Sequence, residues 1–255
     1  MIKLFYRTNK IDKNLVFFHD GEELDLPKCD VISFRESRQK PKGKCTEKFT
    51  LLTNLLETED ELLAKVDKTY RYEIRRAKEK DNLKIEILDS NNLTKEDIDE
   101  FESFFNEFAT SKGLGCCDSK LLDMFYNNKS LVIAFVYDES QEDKSKALIV
   151  AHAYYVSDKI ARLWYSCSHF RDGDGQYKNL VGRANRLLHW EDICWFKNAG
   201  YDTLDWGGAG KADDVKNISK FKRGFGGSDA TFYNYEVAKT FKGKVFLFIK
   251  RLLGK

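Results

Sequence analysis

The chain has 255 residues, 42% hydrophobic and 33% charged, and its 43 Lys and Arg nearly cancel 41 Asp and Glu to leave a net charge of +2. No apolar run approaches the roughly 20 residues that cross a bilayer, the N-terminus is too broken by charge for a secretory signal, and the near-neutral balance carries no information about a nucleic-acid partner. These features describe an ordinary globular chain, expected in the cytoplasm, with apolar material for one large core or two small ones.

Residues 1–45 alternate short apolar runs with turn-formers and read as a few strands, an N-terminal extension preceding a main domain over 46–255. Thr58 and Glu61 have capping-box spacing, so a helix follows through Leu62, Val66, Ile74 and Ala77, with a break near Lys68 and Thr69. Residues 83–88 alternate as a strand. Thr94 caps a helix whose Ile98, Phe101, Phe104, Phe105 and Phe108 recur at helical spacing, and a short helix spans 119–126. Three strands follow at 131–137, 147–156 and 160–166, the last two joined by a hairpin at 157–159. A long helix over 177–197 ends at Gly200, and 201–205 is a strand entering a glycine turn. A short helix over 215–222, a strand over 231–238 and a basic amphipathic helix over 242–253 close the chain. The order predicts an α/β (α+β) fold with a mixed central sheet and helices on both faces; antiparallel strands before the long helix argue against a doubly wound dinucleotide fold.

Cys29, Cys45, Cys116, Cys117, Cys167 and Cys194 lack the paired short intervals of a zinc site and read as free thiols; no metal is expected. The chemistry concentrates late in the chain. Asn185 lies on a helix that carries Leu187-Leu188-His189-Trp190, followed by Asp205-Trp206-Gly207-Gly208 and then by Phe221-Lys222-Arg223-Gly224-Phe225-Gly226-Gly227. Upstream stands Arg71, then Ile74-Arg75-Arg76-Ala77. These four pieces, in this order across about residues 46–240, resemble the C-terminal signature of the Fem peptidoglycan-bridge enzymes of the GNAT superfamily. The resemblance implies a GNAT-like fold and transfer of an acyl group to an amine, from aminoacyl-tRNA or from an acyl-CoA. The chain departs from the Fem pattern in its short length, with one convincing GNAT-like domain in place of two, and in lacking a coiled-coil arm.

Read physically, Gly224, Gly226 and Gly227 let backbone approach a ligand closely, and Lys222 adds a compact positive charge for a phosphate or an oxyanion. The matching lysine of Fem-like enzymes is held to contact donor phosphate or the reacting carbonyl; a glycine turn with a solvated Lys222 is the alternative. Asp205, at a strand end beside Trp206, Gly207 and Gly208, either accepts a proton from the attacking amine or fixes its turn through backbone amides. The superfamily's pyrophosphate loop falls at Arg171, Gly173 and Gly175, where Asp172 and Asp174 would repel a pyrophosphate, so an exposed glycine turn reads equally well.

Arg183 and Arg186, with Asn185 and His189 at the edge, share a helix face that is either solvated or a grip for a phosphorylated acceptor. Trp190, Trp195 and His152 read as core, and His189 as a surface histidine. Arg71, Arg75, Arg76, Lys78 and Lys80 could hold an anion such as a nucleotide-linked sugar or tRNA. Finally, Phe241, Val245, Phe248, Ile249 and Leu252 form a stripe among Lys242, Lys244, Lys250, Arg251 and Lys255. It suits either a covered sheet or partner surface, or peripheral contact with the inner membrane face, where a lipid-linked acceptor would be found. The expectation is therefore an acyl- or aminoacyl-transferase acting on an amine of a cell-envelope precursor. The rival is a non-catalytic GNAT-like module that binds an anionic metabolite, RNA or a membrane surface. Oligomeric state is not legible.

Overall fold

The computed structural model describes residues 1–143, 146–170, 173–208 and 216–253, and the chain divides into two units, Met1–Thr50 with Asp229–Lys255, and Leu51–Ser228. The last strand and helix belong with the N-terminal strands in the first unit.

In the first unit, β1 (Ile2–Thr8) and β2 (Ile11–Phe17) form a hairpin turned at Asn9 and Lys10, both at positive φ. That conformation matches the twist of a two-residue hairpin loop. β3 (Val31–Ser37) runs parallel to β2, and β10 (Ser228–Ala238) antiparallel to β3, giving the order β1-β2-β3-β10. Thr240 caps the terminal helix α7 (Phe241–Leu252) by accepting from the Gly243 N–H. Gly243 sets how closely this helix lies: a Cβ there would stand 2.1 Å from the Asp30 carbonyl oxygen. Leu247 packs with Ile11 and Val31.

The second unit is a mixed sheet in the order β4-β9-β8-β7-β6-β5. β4 (Thr46–Asn54) enters it and pairs antiparallel with β9 (Thr203–Asp205), which runs parallel to β8 (Ile160–Ser168); β7 (Leu148–Val156), β6 (Leu131–Asp138) and β5 (Leu83–Leu88) continue antiparallel. β6 and β7 are buried at nearly every position, as strands covered on both faces must be. On one face, Val181, Ala184 and Leu188 of α5 (Gly175–Asn198) pack with Ala134, Val136 and Val150, backed by α2 (Lys68–Lys80). On the other, Phe125 of α4 (Ser119–Asn127) stacks on Tyr155 at 4.9 Å, next to α3 (Lys95–Ser111). Helices thus cover both faces of an α/β sheet, as the element order predicts.

Local capping chemistry is where expected. Thr58 and Glu61 close a capping box on α1 (Glu59–Lys65), and Thr94 forms another with Asp97 on α3. The break between α1 and α2 falls at Val66 and Asp67, two residues earlier than predicted, because Asp67 caps α2 by accepting from the Thr69 N–H. Among the described residues, no helix is long and apolar enough to cross a membrane. All six cysteines are free thiols.

Candidate functional site

The site begins where two parallel strands part. β8 and β9 stay in register from Ile160 and Thr203 to Arg162 and Asp205; β9 then ends while β8 runs on to Ser168. Ligands in open α/β sheets bind at such carboxyl ends of parallel strands. At the fork, the fully buried Asp205 carboxylate is ion-paired with Arg162 on one oxygen and accepts the Gly207 N–H at 2.9 Å on the other. Gly207 takes φ +63°, and a Cβ on it would lie 2.5 Å from the Leu163 carbonyl oxygen, so only glycine fits this turn. Trp206 is clamped alongside: its indole N–H donates to Thr53 Oγ1 at 2.9 Å and its backbone N–H to the Leu51 oxygen at 3.0 Å.

The turn aims three carbonyls at one point. Lys222 Nζ donates to the oxygens of Trp206 at 2.6 Å, Gly207 at 3.0 Å and Gly208 at 3.2 Å. An ammonium has three protons, so each finds an acceptor. Burial, with the nearby Arg162 charge, lowers the Lys222 pKa to about 8, against an opposing pull from Asp205.

Lys222 reaches this point from α6 (Lys216–Arg223), whose end is fastened by aromatics. Phe225 stacks on Trp206 at 5.0 Å and, with Phe221, meets Tyr70 and His189 at 5.3–5.6 Å. The glycines serve this fastening. A Cβ at Gly224 would sit 2.2 Å from the Tyr70 ring, one at Gly226 3.0 Å from Lys65 Cβ, and one at Gly227 3.0 Å from the Leu52 carbonyl oxygen. In the Cβ direction the close approach these glycines permit is to the chain's own atoms.

Beneath the aromatics, α5 and β7 contribute a buried polar group. The His152 ring places Nδ1 2.7 Å from Asp192 Oδ2 and Nε2 3.0 Å from Asn185 Oδ1, and Tyr154 Oη donates to the same Asp192 oxygen at 2.6 Å. His189 stacks on His152 at 4.1 Å. His189 is not the surface histidine expected: the helix face assigned to solvent there is roofed by Trp206, Phe221 and Phe225. Burial, then the charges of His152, Lys222 and Arg186, hold its pKa well below the ordinary value. His152, His189 and Asp192 also have donor atoms within 4.8 Å of one another, a convergence that sequence spacing could not reveal. A cation seated there would have to displace the His152–Asp192 hydrogen bond, so the group fits an internal hydrogen-bond network better than a metal centre.

The remaining candidates are spread out. Arg183 makes a bidentate pair with Asp81 at 2.7 and 2.8 Å, and Arg186 pairs with Glu73 at 2.8 Å and lies over the Tyr70 ring at 4.6 Å. Both arginines tie α5 to α2, and Asn185 faces His152, so the three do not form the open face considered in the sequence. Arg75 and Arg76 are exposed on α2; Arg75 joins Lys68, Arg71, Tyr72 and Lys78 around a 510 Å³ depression floored by Trp190. Arg171 lies outside the described residues. Gly173 abuts Tyr177, with a Cβ position 2.4 Å from its ring, and Gly175 opens α5 directly after Asp174, whose carboxylate accepts the Tyr177 N–H at 2.9 Å. The helix N-terminus that would cradle a pyrophosphate is thus capped by the chain's own carboxylate.

No family model matches the sequence, and no curated protein matches it. Among solved structures, FemX superposes with a TM-score of 0.61 over 92% of this chain and 84% of its own length, at 12% identity. The shortfall in length suggested by the sequence is therefore small. A domain from Agrobacterium fabrum, assigned as the C-terminal part of a lysylphosphatidylglycerol synthetase, gives 0.57 over 98% and 85% at 14% identity. L-PGS from Bacillus licheniformis gives 0.54 over 99% and 86% at 11%. Parallel strands parting at the site, helices on both faces and these superpositions establish the fold as GNAT-like, of the kind that FemX has.

Proposed function

We propose that the chain transfers an aminoacyl group from an aminoacyl-tRNA to an amine of a cell-envelope precursor, with the reacting carbonyl held at Lys222. The observation that carries this reading is the Lys222 ammonium, fixed at the fork of β8 and β9 by the carbonyls of Trp206, Gly207 and Gly208. The Gly208 bond is the longest and most exposed of the three. A substrate carbonyl oxygen takes its place, and the ammonium then stabilises the negative charge that grows on that oxygen as the amine attacks. The C–N bond forms and the ester C–O bond breaks; the proton lost by the amine reaches the leaving hydroxyl through the substrate's own groups. Asp205 is spent on Arg162 and the turn and is assigned the positioning of Lys222. Alignment supplies most of the acceleration.

Two observations favour tRNA over an acyl-CoA donor. Asp174 occupies the α5 N-terminus that a pyrophosphate would need. The α2 cations Lys68, Arg71 and Arg75 line a depression on the helix whose N-cap residue, Asp67, donates its N–H to the Gly224 oxygen of the glycine turn at 2.7 Å, and they offer a grip for nucleic-acid phosphates. FemX and the synthetase relatives support the acceptor class by fold alone.

The test is label transfer from charged bulk tRNA, and separately from acetyl-CoA, into a cell-envelope precursor fraction. Transfer from tRNA that RNase abolishes and Lys222→Met reduces at least 100-fold is expected. Acetyl transfer in its place overturns the donor, and no transfer from either overturns the enzyme. In that last case the capped α5 terminus and the fully engaged ammonium favour the second reading, a binding module that uses the same α2 cations.

A further inference from the structure

Helix α7 buries the wrong part of itself for a helix whose work is to cover a sheet. Only Gly243 and Leu247 are buried, with Phe246 packed beside them. Phe241 remains 81% exposed, Phe248 62%, Leu252 71% and Leu253 67%, with Val245 and Ile249 also open. At 100° per residue the five of these within the helix, Phe241, Val245, Phe248, Ile249 and Leu252, span roughly 100° of its surface, away from the sector that holds Gly243 and Leu247. An aromatic ring presents about 150–250 Å², so Phe241 and Phe248 alone leave roughly 300 Å² of apolar surface open, before the four aliphatic side chains are counted. That total exceeds what a soluble surface normally carries without a purpose. Gly243 makes the pose deliberate: a larger residue there would lift the helix off the Asp30 carbonyl.

The charges around this face select its occupant. Lys244 and Arg251 flank one side of the apolar sector, and neither makes an ion pair among the described residues. Lys242 borders the other side, paired with Asp30 and bonded to the Lys10 carbonyl, while Lys250 is tied to Glu236 at 2.7 Å near the sheet. No acidic residue occurs between Phe241 and Leu253. An apolar stripe bordered only by cations matches the acyl–headgroup boundary of an anionic bilayer, where the rings enter the hydrocarbon edge and the amines reach the phosphates. A second copy of the same face would instead oppose cation to cation.

We infer that α7 docks the protein in the plane of an anionic membrane. The inference does not rest on the transferase reading, since it concerns a different unit. The full chain is floated with vesicles of phosphatidylcholine alone or with 30% phosphatidylglycerol (~30%, chosen to give a strongly anionic surface). Flotation with the anionic vesicles only is expected. Phe248→Asp should reduce it at least tenfold, and Lys244→Glu with Arg251→Glu should reduce it several-fold and flatten its salt dependence. Circular dichroism confirms that the variants stay folded; because every substituted side chain is exposed, the charge pair provides a second reading should Phe248→Asp unfold. Absence of flotation, equal flotation with both vesicle types, or a dimer in light scattering that Phe248→Asp dissociates overturns the inference.

Discussion

The Asp205 carboxylate receives Arg162 on one oxygen and the Gly207 N–H on the other, so a single buried anion joins β8, β9 and the turn that cages Lys222. Removing one partner of a buried pair strands the other's charge, at a cost of about 3–5 kcal/mol. Asp205→Asn keeps an oxygen for Gly207 but withdraws the anion facing Arg162. It should lower the denaturation free energy by that order, measured by urea unfolding, and pairing it with Arg162→Met should recover a large part of the loss. A loss in the double variant equal to the sum of the two single losses would show that the pair contributes no coupling.

Lys222 gives the pH dependence a definite sign. Its folded-state pKa, about 8, lies below the ordinary 10.5, so between these values the unfolded chain binds the proton more tightly. The group therefore penalises folding below about pH 8 and the penalty fades as pH rises towards 10.5. Catalysis runs the other way. If the ammonium holds the carbonyl, kcat/KM should fall above about pH 8, after a rising limb set by deprotonation of the acceptor amine. Lys222→Arg keeps its charge at any such pH and should lose the falling limb while retaining only a small fraction of the rate, because a planar fork cannot reproduce three converging bonds. A falling limb unchanged in the arginine variant would assign it to another group.

How much of this was legible follows the range of the interactions. The capping box at Thr58, the cap at Thr94, the hairpin at 157–159 and the apolar face of α3 are local, and composition and spacing reveal them. Lys222 and Trp206–Gly208 lie in two glycine-bearing motifs that the sequence singles out, and hydrogen bonds join them. The role of those glycines was not legible, because a close approach to Tyr70 or Leu52 looks the same in sequence as one to a ligand. Nor were the Arg183–Asp81 pair and the His152–Asp192 bond, which join residues 102 and 40 positions apart. His189 was misplaced for a related reason: its roof comes from Trp206, Phe221 and Phe225, far along the chain, and helix periodicity cannot anticipate a third layer.

His189 makes a prediction of its own. It is buried and kept neutral, its pKa well below 6.5, whereas the unfolded chain takes up the proton near the ordinary value. Stability should therefore fall as pH drops below about 6.5, since the unfolded state then binds a proton that the folded state refuses. His189→Phe retains an aromatic ring against Trp206, Phe221 and Phe225 and should leave stability at pH 7.5 within about 1.5 kcal/mol, as volume-conserving swaps do. The acid slope of the melting temperature between pH 5 and 6.5 (roughly the titration range of an ordinary histidine) should become shallower. An unchanged slope would place the acid sensitivity elsewhere.

Gly207 offers the sharpest separation of scaffold from chemistry. Its φ of +63° strains any other residue, and a Cβ would stand 2.5 Å from the Leu163 carbonyl oxygen, a backbone atom that cannot swing aside. Gly207→Ala must therefore shift the turn away from β8 and take with it carbonyls that hold Lys222. The expected cost in stability is about 1–3 kcal/mol, typical of overpacking. The cost in transfer should be larger than that destabilisation can explain, since a misplacement of about 1 Å at a reacting group can cost 100-fold. A glycine of the other unit serves as the comparison. Gly243→Ala meets the Asp30 carbonyl oxygen, 2.1 Å away, and should lower stability by a similar amount with a smaller loss of rate. The two variants, matched in unfolding free energy and compared in kcat at saturating substrate, decide whether the carbonyl cage positions Lys222 for the reaction: equal rates would reduce the cage to a structural clamp.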